Sequence, residues 1–239
     1  MQSALAVALS AQVTLQRRLD TVADNIANTA TPGHLATEVR FEAAVERHHG
    51  PSVAFAREGD PYISTARGAH RPTGAPLDFA VRGEAWFGIE TPMGTVLTRD
   101  GRFTMDATGG LITLEGHAVL DPGGAPVRLD PGAGPPVAGA DGSLAQNGRT
   151  VASLGVFEID ARPATRFGNS GIIAPEPPRP VVGRPDVGVL QGMVEDSNAG
   201  GVEQMVRLIE ITRSFESIAQ MVQRADSGLS DALRTLAAR

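Results

Sequence analysis

The sequence LDFAVR, residues 77–82, alternates Leu, Phe and Val with Asp, Ala and Arg, a period of two. Successive side chains of an extended strand point to opposite faces, so this alternation predicts a half-buried β-strand. Further short apolar stretches follow it, at residues 86–89, 95–99, 102–106, 111–114 and 117–120. Turn sequences rich in Gly and Asp separate them, and no helix-length pattern interrupts them. The stretch therefore opens a run of antiparallel strands.

The same pattern continues beyond a segment rich in Pro and Gly at residues 121–136. Asn147-Gly148 lies between the apolar stretches 144–146 and 149–159, and Asn-Gly is a strong signal for a tight hairpin turn. Four prolines between residues 175 and 180 then indicate extended chain. We predict a central antiparallel all-β domain over residues 77–190.

The N-terminal end has a different period. Residues 1–30 are predicted to form a helix, because apolar side chains recur at alternating steps of three and four. These positions lie along one seam and comprise Leu5, Ala8, Gln12, Leu15, Leu19, Val22 and Ile26, of which only Gln12 is polar. Thr31-Pro32-Gly33 ends the helix, since the residue before a proline avoids the α region.

The C-terminal segment, residues 191–239, shows the same alternation for more than four heptads. The seam comprises Met205, Leu208, Thr212, Phe215, Ala219, Val222, Asp226, Leu229, Leu233 and Leu236. Asp196, Ser197 and Asn198 precede the helix and offer side chains that cap a helix N-terminus. This segment is predicted to be a helix with its entry.

We therefore predict an α+β fold, in which the N- and C-terminal helices form a coiled-coil-like axial domain and the residues between them include the central antiparallel β domain. An isolated amphipathic helix is marginally stable in water, so the two seams must pair with each other or with neighbouring copies. The alternative is that both helices cover the β domain in one globule. Residues 31–76 are predicted to be an extended arm or linker.

Composition excludes several classes of protein. The formal net charge is −6 and no Lys/Arg cluster is present, so a nucleic-acid binder is not expected. The chain has no cysteine, which excludes disulfides, thiolate metal sites and cysteine nucleophiles. No apolar stretch reaches the 18 or so residues that span a bilayer. The apolar start lacks a basic region, so we expect a retained helix and no cleaved signal peptide.

Candidate catalytic residues do not form a recognisable site. The five histidines, His34, His48, His49, His70 and His117, lack the spacing of a metal site. Ser170 lies in a glycine-rich turn that does not match the nucleophile pattern, and Asp100 and Asp141 belong to hairpin turns. We therefore expect no catalytic residue, no cofactor, no metal and no small-molecule substrate.

Three separate motifs resemble those of one known family. They are residues 19–33, which run from an apolar helix into an Asn-rich segment and Thr-Pro-Gly; residues 77–83 with 98–103; and residues 190–198 with the helix after them. Together they resemble the flagellar rod and hook proteins. Within that family the Thr-Pro-Gly and the modest length are most similar to one class of basal-body rod protein, with the distal rod protein next.

The resemblance implies a non-enzymatic structural subunit of the rod in the bacterial flagellar basal body, in the periplasmic space. It implies export by the flagellar type III apparatus and assembly, with other rod proteins and with copies of itself, into the shaft that transmits torque. Asp24, His34 and Ala199-Gly200-Gly201 depart from the family pattern.

The expected subunit-interface residues lie on the two helical seams and in the Asn-rich segment. They are Leu5, Leu15, Leu19, Val22, Ile26, Asn25, Asn28, Met205, Leu208, Phe215, Val222, Leu229, Leu233 and Leu236. Asn25 and Asn28 suit helix termination as well as subunit recognition. Two other functions stay open at this point: a secreted hydrolase or carbohydrate-binding β domain, and an adaptor that binds one partner through a C-terminal coiled coil.

Overall fold

The computed structural model describes residues 2–46, 53–159 and 164–237. Two long helices lie near the chain ends, and the strands between them pair in antiparallel fashion. The α+β class and the antiparallel body agree with the sequence prediction.

The chain divides into two compact units. A helical unit comprises Met1–Ala27, Thr37–Pro61 and Gly201–Arg239, and a β body comprises Asn28–Ala36 and Tyr62–Gly200. The chain therefore crosses from one unit to the other four times. Those crossings fall after residues 27, 36, 61 and 200.

The helical unit consists of two helices and a hairpin: α1 (Gln2–Ala27), β1 (Thr37–Glu46), β2 (Val53–Ile63) and α2 (Gly201–Ala237). Strands β1 and β2 form a two-stranded sheet, and α1 contacts both α2 and β1. Much of the hairpin corresponds to the segment that was predicted to be an extended arm.

The β body contains sixteen described strands. They are β3 (His70–Pro72), β4 (Phe79–Arg82), β5 (Trp86–Thr91), β6 (Gly94–Thr98), β7 (Phe103–Met105), β8 (Leu111–Thr113), β9 (Ala118–Val119), β10 (Val137–Ala138), β11 (Ser143–Gln146), β12 (Arg149–Ser153), β13 (Val156–Glu158), β14 (Thr165–Phe167), β15 (Gly171–Ile173), β16 (Arg179–Pro180), β17 (Gly188–Gln191) and β18 (Met193–Glu195).

The largest sheet has nine strands, and its main path runs β14-β15-β6-β5-β9-β8-β7. Strand β13 pairs with β5 and β16. Strands β10, β11 and β12 form a separate sheet, while β4 pairs with β17 and β3 with β18. The two-residue loop Pro92-Met93 closes the β5–β6 hairpin and sets Ile89 opposite Val96.

One buried core joins the nine-stranded sheet to the β10–β12 sheet and the β4–β17 pair. It includes Phe87 from β5, Leu144 from β11 and Val189 from β17. The Phe87 ring meets the Phe103 ring edge to face, with centroids 5.3 Å apart. Such aromatic pairs add about 0.5–1.5 kcal/mol beyond the area they bury. The body thus carries its own hydrophobic core.

The predicted coiled-coil-like axial domain is wrong. Among the α2 residues whose side chains are described, the two buried ones are Gln204 and Ile211, both 3% exposed, whereas the seam residues Met205 and Phe215 are exposed. Apolar residues occupy more than one face of α2, and the predicted seam runs along the edge of the buried face, where Leu208 and Val222 are half-buried. The interhelix contact also includes a polar pair, and a β-hairpin belongs to the same unit.

Candidate assembly surface

The first turns of α2 carry an apolar stripe on their outer face. It consists of Val202, Met205, Val206 and Ile209, which are 80, 56, 51 and 53% exposed. Their spacing of three, four and seven residues places them on one side of a helix. We call this set the outer stripe. The stripe is a surface that the described part of the single chain leaves uncovered.

The opposite face of α2 packs inside the helical unit. Gln204 and Ile211 are buried there, and Leu208, Ile218 and Val222 are half-buried. Positions 204 and 211 lie about 180° around the helix from position 202 at 100° per residue. Helix α2 thus presents one face to its own chain and an apolar face to solvent.

Within the helical unit, the Asn25 side chain of α1 bonds the start of β1 and contacts α2. Its Nδ2 donates to the Thr37 carbonyl at 2.9 Å, and its Oδ1 accepts from the Thr37 N–H at 2.9 Å. Nδ2 also lies 3.5 Å from Gln204 Oε1. The side chain is 1% exposed and bonds the start of β1 as a neighbouring strand would.

Helix α1 also leaves apolar side chains outside. Leu9 is 60% and Val13 48% exposed, on the face away from Val22, which is 7% exposed. Their neighbours on the outer face are polar or small, among them Gln16 and Asp20. Among the side chains that the structure describes, α1 therefore exposes less apolar surface than α2.

The structure places the expected interface residues in three environments. Val22, Asn25 and Asn28 are buried in the single chain, while Met205 and Phe215 are exposed. Half-buried positions are Leu15, Leu19, Ile26, Leu208 and Val222. Leu5, Leu229, Leu233 and Leu236 lie outside the residues whose side chains are described.

Sequence reasoning missed most of the outer stripe. Val202, Val206 and Ile209 did not belong to the predicted seam, although they share with Met205 the spacing that marks one helical face. It also missed Gln204, because a buried glutamine breaks an apolar pattern. The sequence did contain a signal for the stripe, because apolar residues of α2 lie on two faces of the helix. The prediction used only one of these faces, the seam.

The residues weighed for catalysis have structural partners. His34 is fully buried, and its Nδ1 lies 2.5 Å from the Asn169 carbonyl oxygen. The His117 ring contacts that of Phe167, and the Asp100 carboxylate pairs with Arg102 at 2.7 Å. His48 and His49 lie outside the described residues.

Two other candidate groups belong to turns. Asp141 Oδ1 accepts from the hydroxyl and the N–H of Ser143, and these bonds hold the pKa of the Asp141 carboxyl below its usual range. Thr98 Oγ1 donates to the Ser170 carbonyl at 3.2 Å.

Within the residues that the structure describes, no three His, Asp or Glu side chains are grouped as metal ligands. No described helix is long and apolar enough to cross a membrane.

Three known families match this chain in sequence order. Residues 5–34 match "Flagella basal body rod protein". Residues 80–153 match "Flagellar hook protein FlgE/F/G D1 domain". Residues 190–235 match "Flagellar basal body rod FlgEFG protein C-terminal". These segments coincide with α1, a large part of the β body and the region containing α2.

Two relatives that match over almost the whole chain at 46–51% identity carry the same name. The flagellar basal-body rod protein FlgF of Mesorhizobium japonicum is 51% identical, and the match covers 100% of both chains. The FlgF of Rhizobium meliloti is 46% identical over 99% of this chain and 98% of its own. The flagellar basal-body rod protein FlgG of Bacillus subtilis is 28% identical over 93% of this chain and 95% of its own. The chain therefore belongs to the FlgF family of flagellar basal-body rod proteins, and it is a structural subunit of the rod in the bacterial flagellar basal body.

Proposed function

We propose that this rod subunit joins its neighbours through the outer stripe of α2, together with the exposed members of the predicted seam. The neighbours are copies of itself and other rod proteins. The β body serves as a stable scaffold in this proposal, and the subunit performs no catalysis. The observation that supports it is the stripe itself: four apolar side chains on one helical face, each more than half exposed.

The energies favour an assembly held by several contacts. Full burial of one such side chain contributes about 1.5–3 kcal/mol. Association costs about 4–15 kcal/mol in lost freedom of motion. Four side chains that are already partly covered yield too little to stabilise a dimer in dilute solution. A subunit held by several neighbours in a helical array loses its freedom once and gains contacts on each side.

The remaining parts of the proposal rest on the family resemblance. The chain is exported by the flagellar type III apparatus, reaches the periplasmic part of the growing rod and transmits torque as part of the shaft. The absence of cysteine is compatible with this route, since folding after export then requires no disulfide formation.

The test is Val206→Asp in the full chain. A charge placed at the centre of the stripe stays solvated in the monomer but would lose its water on assembly, at a cost of several kcal/mol. We expect the monomer's thermal unfolding to change little and the rod to fail to form, measured by counting basal bodies in electron micrographs and by swimming in soft agar.

Ser214→Asp is the matched control. It adds the same charge at an exposed, polar position of the same helix, about 120° around the helix from Val202. We expect Ser214→Asp to support assembly. Normal rods with Val206→Asp would remove the outer stripe from the interface, and unfolding of the Val206→Asp monomer would show that the stripe belongs to an intramolecular core.

A further inference from the structure

Hydrogen bonds from three other segments of the β body hold residues 33–36. The Gly33 N–H donates to the Glu195 carbonyl at 2.8 Å, and the Asn198 N–H donates to the His34 carbonyl at 3.2 Å. Arg166 donates to the Leu35 carbonyl, and the Ser64 N–H donates to the Ala36 carbonyl at 2.8 Å. All four residues are buried. This segment directly precedes the second crossing of the chain into the helical unit.

One side chain connects this segment to two others. Asn198 Oδ1 accepts from the Ala36 N–H at 2.5 Å. Asn198 Nδ2 donates to the Ser64 carbonyl at 3.2 Å and to the Ala66 carbonyl at 2.7 Å. Ala36 ends the body segment before the crossing after residue 36, and Ser64 follows the crossing after residue 61. Asn198 itself lies two residues before the crossing into α2.

A buried ion pair holds the end of β18, three residues before Asn198. Arg99 Nη1 lies 2.9 Å from Glu195 Oε2, and the two side chains are 3% and 1% exposed. Glu195 Oε1 also accepts from the Gly68 N–H at 3.0 Å. A Cβ at Gly68 would lie 1.7 Å from the Asp196 carbonyl oxygen, so only glycine permits this approach. A buried pair of this kind favours one arrangement more than it adds stability.

From this geometry we infer that the Asn198 side chain carries force in the assembled rod. Its hydrogen bonds join three of the four chain crossings within the β body. This inference rests on the proposed function, since a load exists only in a rod that transmits torque. Because one side chain bonds all three segments, moving one crossing strains the bonds to the other two, so a force arriving through one crossing is shared among them. Asn198 positions the crossings and makes no contact with a partner in this account.

The first test measures amide hydrogen exchange on the purified, full-length monomer. Asn198→Ala removes all three side-chain bonds, and we expect the Ala36 and Ser64 amides to exchange at least about tenfold faster. Asn198→Asp keeps the acceptor for the Ala36 N–H but loses both donors, which bond the Ser64 and Ala66 carbonyls. The Ser64 amide itself bonds the Ala36 carbonyl, so it should exchange faster because its segment is no longer held by Asn198, while the Ala36 amide stays slow. The Leu111 amide, which bonds Val127 in the body core, should change less than about twofold.

Ser197→Ala is the matched control, because it removes only the hydroxyl that accepts from the Ala199 N–H. Unchanged exchange of the Ser64 amide in both Asn198 variants would overturn the inference that Asn198 holds these segments together. Faster exchange at Leu111 in Asn198→Asp would also overturn it, since Asn198 would then be a general stability residue. If Asn198→Ala does not fold, Asn198→Asp decides between these results.

The second test measures load in cells that carry Asn198→Asp. We expect the number of basal bodies to stay within about twofold of wild type and the swimming speed in viscous medium to fall at least about twofold. A swimming speed equal to that of wild type would overturn the inference that Asn198 carries force. A fall in speed that is matched by a fall in the number of basal bodies would overturn it as well. The exchange test uses the monomer, so its failure is distinct from a failure of the proposed assembly surface.

Discussion

The β body and the helical unit use apolar side chains in opposite ways. In the body, Phe79, Phe87 and Leu111 are fully buried and pack into one core that several sheets share. In the helical unit, Val202, Val206 and Ile209 remain more than half exposed on a folded helix. These apolar residues of the body are therefore buried within the chain, while those of α2 remain exposed to solvent in the single chain.

Under the proposed function, this difference places stability and assembly in different parts of the molecule. A core packed within one chain resists unfolding at any protein concentration. A helix whose apolar face lacks a partner gains much of its stability only when a neighbour covers it. Substitutions in the body should therefore act on the monomer, and substitutions on the outer stripe should act on the assembled rod.

The largest effect is expected in the body core. Phe87→Ala removes a fully buried ring that meets Phe103 edge to face, and it should lower the free energy of unfolding by about 3–5 kcal/mol. Urea denaturation followed by circular dichroism measures this loss. Met93→Ala, at a position that is 72% exposed, should change it by less than about 0.5 kcal/mol. Equal effects at the two positions would contradict the description of the core.

A smaller and more local effect is expected at Asn25. Asn25→Ala leaves the Thr37 N–H and carbonyl without their side-chain partner, at a local cost of about 1–3 kcal/mol. Hydrogen exchange should show faster exchange of the Thr37 amide, while the unfolding of the body stays unchanged. Gln16→Ala on the exposed face of α1 is the control and should leave both unchanged. A lower unfolding temperature of the body in Asn25→Ala would show that the two units do not unfold separately.

Sequence reasoning succeeded where local chemistry decides the structure. The alternation at residues 77–82 and the Asn147-Gly148 turn are local signals, and the structure contains β4 and the β11–β12 hairpin at these places. Asn147 has a φ of 50°, which the tight turn requires and which asparagine tolerates. Both helices were also predicted, because a 3-4 alternation is a property of each segment alone.

It failed where long-range pairing decides the structure. Asn198 was interpreted as helix-capping chemistry, but its side chain bonds Ala36 and Ser64, which are more than 130 residues away in sequence. No local pattern marks such a partner. The coiled-coil seam failed for a related reason, because only the position of α1 determines which face of α2 is buried.

The smallest effect is expected at an exposed ion pair of the body. Arg184 donates to the Asp186 carboxylate at 2.9 and 2.5 Å and lowers the pKa of that carboxyl to about 2. A depressed pKa means that the pair contributes stability above the ordinary carboxyl pKa near 3.8, and that this contribution is lost as pH falls toward 2. In Arg184→Gln, an NMR titration should find the Asp186 pKa moved back toward its ordinary value. An unchanged pKa would mean that the guanidinium is not its cause.

The most direct test of the outer stripe uses the absence of cysteine from the natural chain. Val206→Cys introduces the only thiol in the protein, and its rate of maleimide labelling reports the exposure of the stripe. The same measurement on Thr150→Cys, at an exposed position of β12 in the body, gives the reference.

The account predicts rapid labelling of the Val206→Cys monomer and labelling at least about tenfold slower in purified basal bodies, as expected when assembly buries the stripe. The Thr150→Cys reference should differ less than about threefold between the two states. Equally rapid labelling of Val206→Cys in monomer and basal body would contradict the claim that the outer stripe is the assembly surface.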